Sequence, residues 1–373
     1  MIYLDSAATT LQKPRSVPAA VAHAITTMAS PGRGCHAPAM RAADTVLNCR
    51  ELLADFFNVP SPEQVVFTCN ATHALNIAIR SLVSPGDRVV VSGYEHNSVT
   101  RPLYDLGADV VVARSPLFDQ GAAVEAFRAA LPGARCAVCT HVSNVFGFIL
   151  PIEKIAALCR ETGVPLIIDA SQSAGTLPLN FTALGADFIA MPGHKGLLGP
   201  QGTGVLLCKN LGKPLLCGGT GSNSALPGMP DFLPDRLEAG THNVAGIAGL
   251  YAGVRYLTAL PAGAVLAHEQ ALLADFAQRA ALLPELTLFY DGGRGAQSGV
   301  LSLCSAHMDA DRLAEKLGDA DVCVRAGLHC APTAHETVGT LEQGTVRLSF
   351  SPFNTVGETR RAAAIFKKVL SEP

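Results

Sequence analysis

From about residue 40 to residue 210, short apolar runs alternate with amphipathic helical stretches, and this alternation constrains the fold more than any other feature. The runs at 65–68, 88–92, 110–113, 136–141, 166–169, 188–191 and 204–208 are largely continuous β-branched or aliphatic segments. That is the pattern of strands buried on both faces. Helical segments lie between several of them, and another precedes the first. In 41–57, Val46, Leu47, Leu53, Phe56 and Phe57 fall near one helical face. Strand and helix in alternation predict an α/β fold with a mostly parallel sheet of seven strands. After about residue 245 the rhythm changes. A helix-rich stretch (244–273) precedes strand candidates at 299–304, 322–324 and 345–349, and a final helix is expected near 356–370. That reads as a smaller α+β domain, in keeping with a chain of 373 residues, longer than one hydrophobic core usually serves. The Gly/Pro-rich span 216–234 is too long for a simple connection and reads as a functional loop.

Composition narrows the function classes. Apolar residues make up 49% and charged residues 16%, as in a well-buried enzyme and unlike a disordered chain. A net charge of -3 gives no electrostatic reason to expect nucleic acid or an anionic membrane as a partner. No apolar run approaches the ~18 residues that span a bilayer, and MIYLDSAATT lacks the basic and apolar regions of a secretory signal. The eleven cysteines are odd in number and recur inside apparent strands and helices. They read as small buried hydrophobes in a reducing cytoplasm, the expected location.

Chemistry-bearing residues gather at strand ends, where open α/β sheets bind ligands. Asp169 closes the run 166–169 and is followed by Ala170-Ser171-Gln172. An acid at the end of a buried strand needs a cationic partner or several hydrogen bonds to stay charged, and a pyridinium nitrogen would serve. The next strand runs into Pro192-Gly193-His194-Lys195-Gly196. A lysine ending a buried strand beside glycines is poorly explained as a solvated surface charge. Asp and Lys at successive strand ends suit a pyridoxal-phosphate Schiff base. Upstream, 65–68 leads through Cys69-Asn70 into a helix beginning Ala71-Thr72-His73, a turn of the kind that cradles phosphate.

The ordered set YLDSAATT, NATHALN, YEHNS, HVSN, DASQSAG, GHKGLLGPQGTG, EAGTHN, GLHCAP and VRLSF resembles the class V aminotransferases, and within them the cysteine desulfurases. The resemblance runs from about residue 2 to residue 355. It is closest to the second, selenocysteine lyase-like group, in which the reactive cysteine follows an Arg-x-Gly element, here Arg325-Ala326-Gly327-Leu328-His329-Cys330. The extended loop 218–224 suggests a less studied branch.

The resemblance implies a pyridoxal 5'-phosphate-dependent transferase of fold type I. Its large cofactor domain would span 16–245, and its small domain would combine 1–15 with 246–373. Lys195 would bind the cofactor and later move protons at the substrate α-carbon. Asp169 would keep the pyridine nitrogen protonated, Gln172 would contact the phenolic oxygen, and His96 would stack on the ring and serve as acid or base. Ala71, Thr72 and His194 would hold the phosphate, and Thr241 would reach the phosphate of a neighbouring subunit, implying a homodimer with shared active sites. Arg347 would clamp the substrate carboxylate with help from Asn144, and Cys330 would attack the substrate sulfur as a thiolate. The implied reaction converts L-cysteine to L-alanine, leaves a persulfide on Cys330 and calls for a sulfur-acceptor protein, with no metal. One departure is visible: Pro192 stands where the family often has Ser or Thr, removing a hydroxyl donor from the phosphate site.

Other readings stand beside this one. Selenocysteine lyase, or another class V aminotransferase or C–S lyase, would keep the cofactor and change the substrate. A weakly active scaffold in sulfur trafficking would keep the fold and lose the turnover. An isolated cysteine is usually an inert packed hydrophobe, so the assignment of Cys330 rests on its flanking motif. His36 and His73 read as structural.

Overall fold

The structure is a computed structural model describing residues 1–32 and 34–371. A short N-terminal strand, β1 (Ile2–Tyr3), precedes β2 (Val65–Thr68), β3 (Arg88–Ser92), β4 (Asp109–Ala113), β5 (Cys136–Thr140), β6 (Leu166–Asp169), β7 (Phe188–Pro192) and β8 (Gly204–Cys208). The last seven form one sheet in the order β2-β8-β7-β6-β5-β3-β4. Pairs among β3 to β7 are parallel, whereas β8 runs against both of its neighbours. Each of the seven apolar runs therefore became a strand of a mostly parallel sheet.

Why these runs stay as strands is visible in their two faces. Val90, Ile168 and Ile189 enter one apolar cluster with Phe57 and Phe127, while their chain neighbours Val89, Val91, Ile167 and Phe188 enter another with Leu75 and Ile79. Successive side chains point to opposite faces and both faces are covered by helices, so a continuous apolar run is satisfied. Each such side chain contributes about 1.5–3 kcal/mol on burial. β4 departs from the expectation of burial on both faces. It is one of the sheet's two edge strands, with a neighbour on one side only, and Asp109 and Val110 are exposed, whereas β2 at the other edge is buried.

The C-terminal part holds β9 (Leu286–Phe289), β10 (Val300–Ser305), β11 (Val322–Cys323), β12 (Arg325–Gly327) and β13 (Thr345–Ser349). An antiparallel sheet has the order β12-β13-β10-β9, and β11 pairs in parallel with β1. Thus the apolar run 322–324 joins the N-terminal segment and not the small sheet. Ile2 and Leu4 pack with Phe276, Leu301, Leu348 and Phe366 in a third cluster. The helix-rich stretch resolves into Val244–Thr258 and Ala264–Ala280, interrupted where Pro261 lacks an amide donor and Gly263 takes a left-handed conformation (φ +75°). The first of these helices places Ile247, Leu250 and Val254 against the large sheet, and the second gives Leu272 and Phe276 to the third cluster. Among the described residues no helix is long and apolar enough to cross a membrane.

Parallel strands carry their C-terminal ends to one edge, so Asp169 at the end of β6 sits beside Ala190 of β7. Chain order reverses on either side of β3, because β4 lies on one flank and β5 on the other. A crevice at such a switch point is where open α/β sheets bind ligands.

Candidate active site

A cavity at these strand ends brings together Ala71, Thr72, His96, Asn144, Asp169, Gln172, His194 and Lys195, together with Pro192 and Ser98. Eight residues expected from sequence thus meet around one space. Arg347, Cys330 and Thr241 do not line it.

Asp169 is 2% exposed, and its Oδ1 accepts from the Ser171 amide at 2.9 Å. The Lys195 amine has no hydrogen-bond or ion-pair partner among the described residues. Burial pushes its ammonium down to about 8, with Arg347 and Arg325 acting in the same sense and Asp169 against it. The loops after β6 and β7 are locked together by two glycines. A Cβ on Gly175 would strike the Gly196 carbonyl, and one on Gly196 would strike the Ala174 carbonyl. Gln172 donates Nε2 to the Ala7 carbonyl at 3.0 Å, tying this loop to the N-terminal segment. The Nδ1 of His194 lies 3.0 Å from Thr9 Oγ1, and its ring is held neutral to about 4 by burial, with Lys195 and Lys13 adding to that.

His96 closes the loop after β3 and caps the helix Asn97–Asp105, its Nδ1 accepting from the Ser98 amide at 3.0 Å. Burial lowers its pKa to about 4. Lys195, Arg347 and Arg101 push the same way, while Asp169 opposes. The imidazole is therefore neutral at physiological pH. Ser98 was not singled out from sequence, yet its Oγ stands 2.9 Å from His96 Nδ1 and 2.8 Å from Thr72 Oγ1. It places a hydroxyl in the cavity where Pro192 lacks one. The helix Ala71–Leu82 opens toward the cavity, capped by Asn70 Oδ1 on the His73 amide at 2.9 Å.

Glu95, inside the YEHNS motif, also escaped notice. It is fully buried, and its Oε1 accepts from the Thr140 amide at 2.7 Å and from the Ser92 hydroxyl, while Oε2 is unpaired. Burial raises its carboxyl to about 8. Its sequence signal was an acid between an aromatic residue and a histidine directly after a buried strand.

Arg347 and Arg325 face each other across the β12–β13 ladder, and Asp5 neutralises both. Arg347 Nη2 lies 2.9 Å from Asp5 Oδ1, and Arg325 Nε 3.1 Å from Asp5 Oδ2. The Nη1 of Arg347 donates to the Asn144 carbonyl at 2.9 Å, and its buried Nε is unpaired. One N–H of each terminal nitrogen is therefore engaged, and Nε together with the second N–H of each terminal nitrogen remains for a carboxylate.

Cys330 is exposed on the loop after β12, with φ +57°, next to His329 at φ +50°. The loop is fastened to the cavity rim at two points. Asn144 Nδ2 donates to the His329 carbonyl at 2.7 Å, and the Asn97 amide donates to the Cys330 carbonyl at 2.7 Å. Thr241 lies in a separate exposed groove with Cys69, His73, Glu238 and His242.

The chain matches the family described as Aminotransferase class-V over residues 2–361. It is 34% identical to a "Probable cysteine desulfurase" of Methanothermobacter thermautotrophicus, over 96% of this chain and 92% of the relative. It is 30% identical to a "Cysteine desulfurase" of Salmonella agona, over 98% and 92%. The solved apo structure of a cysteine desulfurase from Thermococcus onnurineus NA1 superimposes with a TM-score of 0.91 at 30% identity, covering 99% of this chain and 94% of that one. The chain belongs to the class V aminotransferase family, in its cysteine desulfurase group.

Proposed function

We propose that this protein is a pyridoxal-phosphate-dependent cysteine desulfurase that converts L-cysteine to L-alanine and takes the sulfur as a persulfide on Cys330. The observation that carries this reading is the pairing of an unpartnered Lys195 with buried Asp169 at adjacent strand ends, with the Cys330 loop fastened to the same rim. The residues fit the cofactor. Asp169 can hold a protonated ring nitrogen, Lys195 has a free amine, His96 offers a neutral ring, and a helix N-terminus at Ala71 and Thr72 faces the space a phosphate needs. Gln172 and His194 complete the set. Pyridoxal phosphate, when bound, supplies an electron sink for negative charge at the substrate α-carbon.

Lys195 holds the cofactor and, with its pKa near 8, takes and returns protons at the substrate α-carbon. Asn144 and Arg347 orient the substrate carboxylate, Arg347 through the N–H donors that Asp5 and Asn144 leave unused. The Cys330 thiolate attacks the substrate sulfur: a sulfur–sulfur bond forms, the carbon–sulfur bond breaks, and the β-carbon takes a proton to give alanine. Thr241, on its exposed groove, completes the phosphate site of a second copy in a homodimer. A sulfur-acceptor protein then clears the persulfide from the exposed loop, in a reducing cytoplasm.

Selenocysteine lyase is a second reading, favoured by Cys330 lying outside the cavity, since a selenol leaves without help more readily than a thiol. The test is release of alanine and sulfide from L-cysteine with a thiol reductant by wild type, Lys195→Ala and Cys330→Ala. Both products from wild type and neither from the variants support the desulfurase. No sulfide from wild type, with selenide released from selenocysteine, replaces it by the lyase.

A further inference from the structure

A second, smaller chamber lies on the far side of Lys195. Its wall includes Lys195, Gln172 and Thr176 from the large sheet's loops, Ser6 from the N-terminal segment, and Ser298 and Glu269 from the C-terminal part. Three of these polar groups have unmet hydrogen-bonding capacity. The hydroxyls of Ser6 and Ser298 are buried and unpaired. Glu269 is 7% exposed, and its carboxyl has no hydrogen-bond or ion-pair partner among the described residues. The fold makes room for this acid. A Cβ on Gly299 would meet Glu269 Cβ at 2.6 Å and Oε2 at 2.9 Å, so only glycine admits the carboxyl here.

Leaving a buried polar group unsatisfied costs about 1–3 kcal/mol. Three such groups around one space mark a site built for water, and a volume of about 40 Å³ exceeds the roughly 10–15 Å³ that one water needs. Lys195 and Glu269 are the two ionisable side chains lining the chamber.

We propose that this chamber is a water site that carries protons between Glu269 and Lys195, with Glu269 as a proton-storing residue acting on the lysine. A proton leaves the Glu269 carboxyl for the water chain as the chain delivers one to the neutral Lys195 amine, leaving a carboxylate and an ammonium; the reverse step restores both. The transfer is near balance, because burial raises the Glu269 carboxyl to about 8 and lowers the Lys195 ammonium to about 8, and matched acidities favour relay in both directions. Ser6 and Ser298 anchor the waters. No substrate atom touches Glu269 in this scheme, so it is a positioning residue for the lysine.

Two measurements on the cofactor-loaded protein test the relay. The infrared difference spectrum of wild type minus Glu269→Gln should contain the carbonyl stretch of an un-ionised carboxyl at pH 6, lost with a midpoint near pH 8. Its absence at pH 6 overturns the proposal and requires no turnover. The second measurement rests on the proposed reaction: alanine formed from L-cysteine in D2O. In wild type the relay exchanges the Lys195 proton with solvent, so the α-carbon carries deuterium. In Glu269→Gln that deuterium should fall by about half or more, with the original hydrogen retained instead. Unchanged deuterium overturns the relay, whereas a wild type that makes no alanine overturns the desulfurase reading and leaves the infrared arm to decide. If Glu269→Gln does not fold, Ser298→Ala carries the isotope measurement, and an unchanged deuterium content again counts against the relay.

Discussion

The end of β7 and the end of β12 each carry one side chain of the proposed reaction, and the two are built in opposite ways. Lys195 follows a strand buried at every residue, in a loop that Gly175 and Gly196 pack tightly against its neighbour. Its surroundings are set by ladder hydrogen bonds and close packing, so the amine is held in place before any ligand arrives. Cys330 follows a three-residue strand and sits with His329 in the left-handed region, which costs non-glycine residues about 1–3 kcal/mol each. The Asn144 side-chain amide, the Asn97 backbone amide and the buried His329 ring against Thr345 hold that loop down. The difference fits the two tasks. In the proposed reaction a cofactor is gripped in one geometry throughout, whereas a thiol that collects sulfur and passes it on needs a loop that can open, and exposed loops open more readily than packed strand ends.

Separating the two halves by substitution gives the largest expected effect. Lys195→Ala should lose the visible absorbance of bound cofactor and lower turnover of every amino-acid substrate by roughly 10²–10⁴-fold. Cys330→Ala should keep the absorbance, lose cysteine turnover and retain turnover of selenocysteine. If Cys330→Ala also lost the cofactor, the separation between the halves would be wrong.

Glu95, beneath the fixed half, gives the next effect, seen in stability. Its carboxyl is raised from 4.5 to about 8 in the folded protein, so the folded state keeps a proton that the unfolded chain releases. The stabilisation is fully present below about pH 4.5 and is lost as pH rises toward 8, by several kcal/mol across that window. Glu95→Gln keeps an oxygen for the Thr140 amide and should flatten this part of the pH dependence. Urea midpoints at pH 5 and pH 8 measure it, and an equal drop in both proteins would place the effect elsewhere.

Loosening the Cys330 half gives the smallest effect. Asn144→Ala removes one loop tie, worth about 1 kcal/mol, and should speed alkylation of Cys330 by about fivefold while leaving the cofactor absorbance unchanged. An unchanged alkylation rate would mean that the Asn97 and His329 contacts hold the loop without Asn144.

Much of this was legible without coordinates. The seven strands of the large sheet could be read because burial on both faces demands a continuous apolar run, and the run ends marked where Asp169 and Lys195 would stand. β9 and β12 were not legible. β12 is Arg325-Ala326-Gly327, which has no apolar pattern and exists because β13 offers it a ladder edge. The run 322–324 was apolar for a reason the sequence could not state, since its partner β1 lies at the other end of the chain.

The same division holds at the site. Sequence by itself placed the residues that end a strand or open a helix: Asp169, Lys195, His194, and the helix start at Ala71 and Thr72. Local spacing encodes these, because each is fixed by where a buried run stops. Tertiary structure alone decided that Asp5 holds both Arg325 and Arg347, that Ser98 joins His96 to Thr72, and that Glu269 shares a chamber with Lys195. Those pairings join segments far apart in the chain or on different elements. Contact between such segments is settled by packing, and no periodicity in the sequence records it.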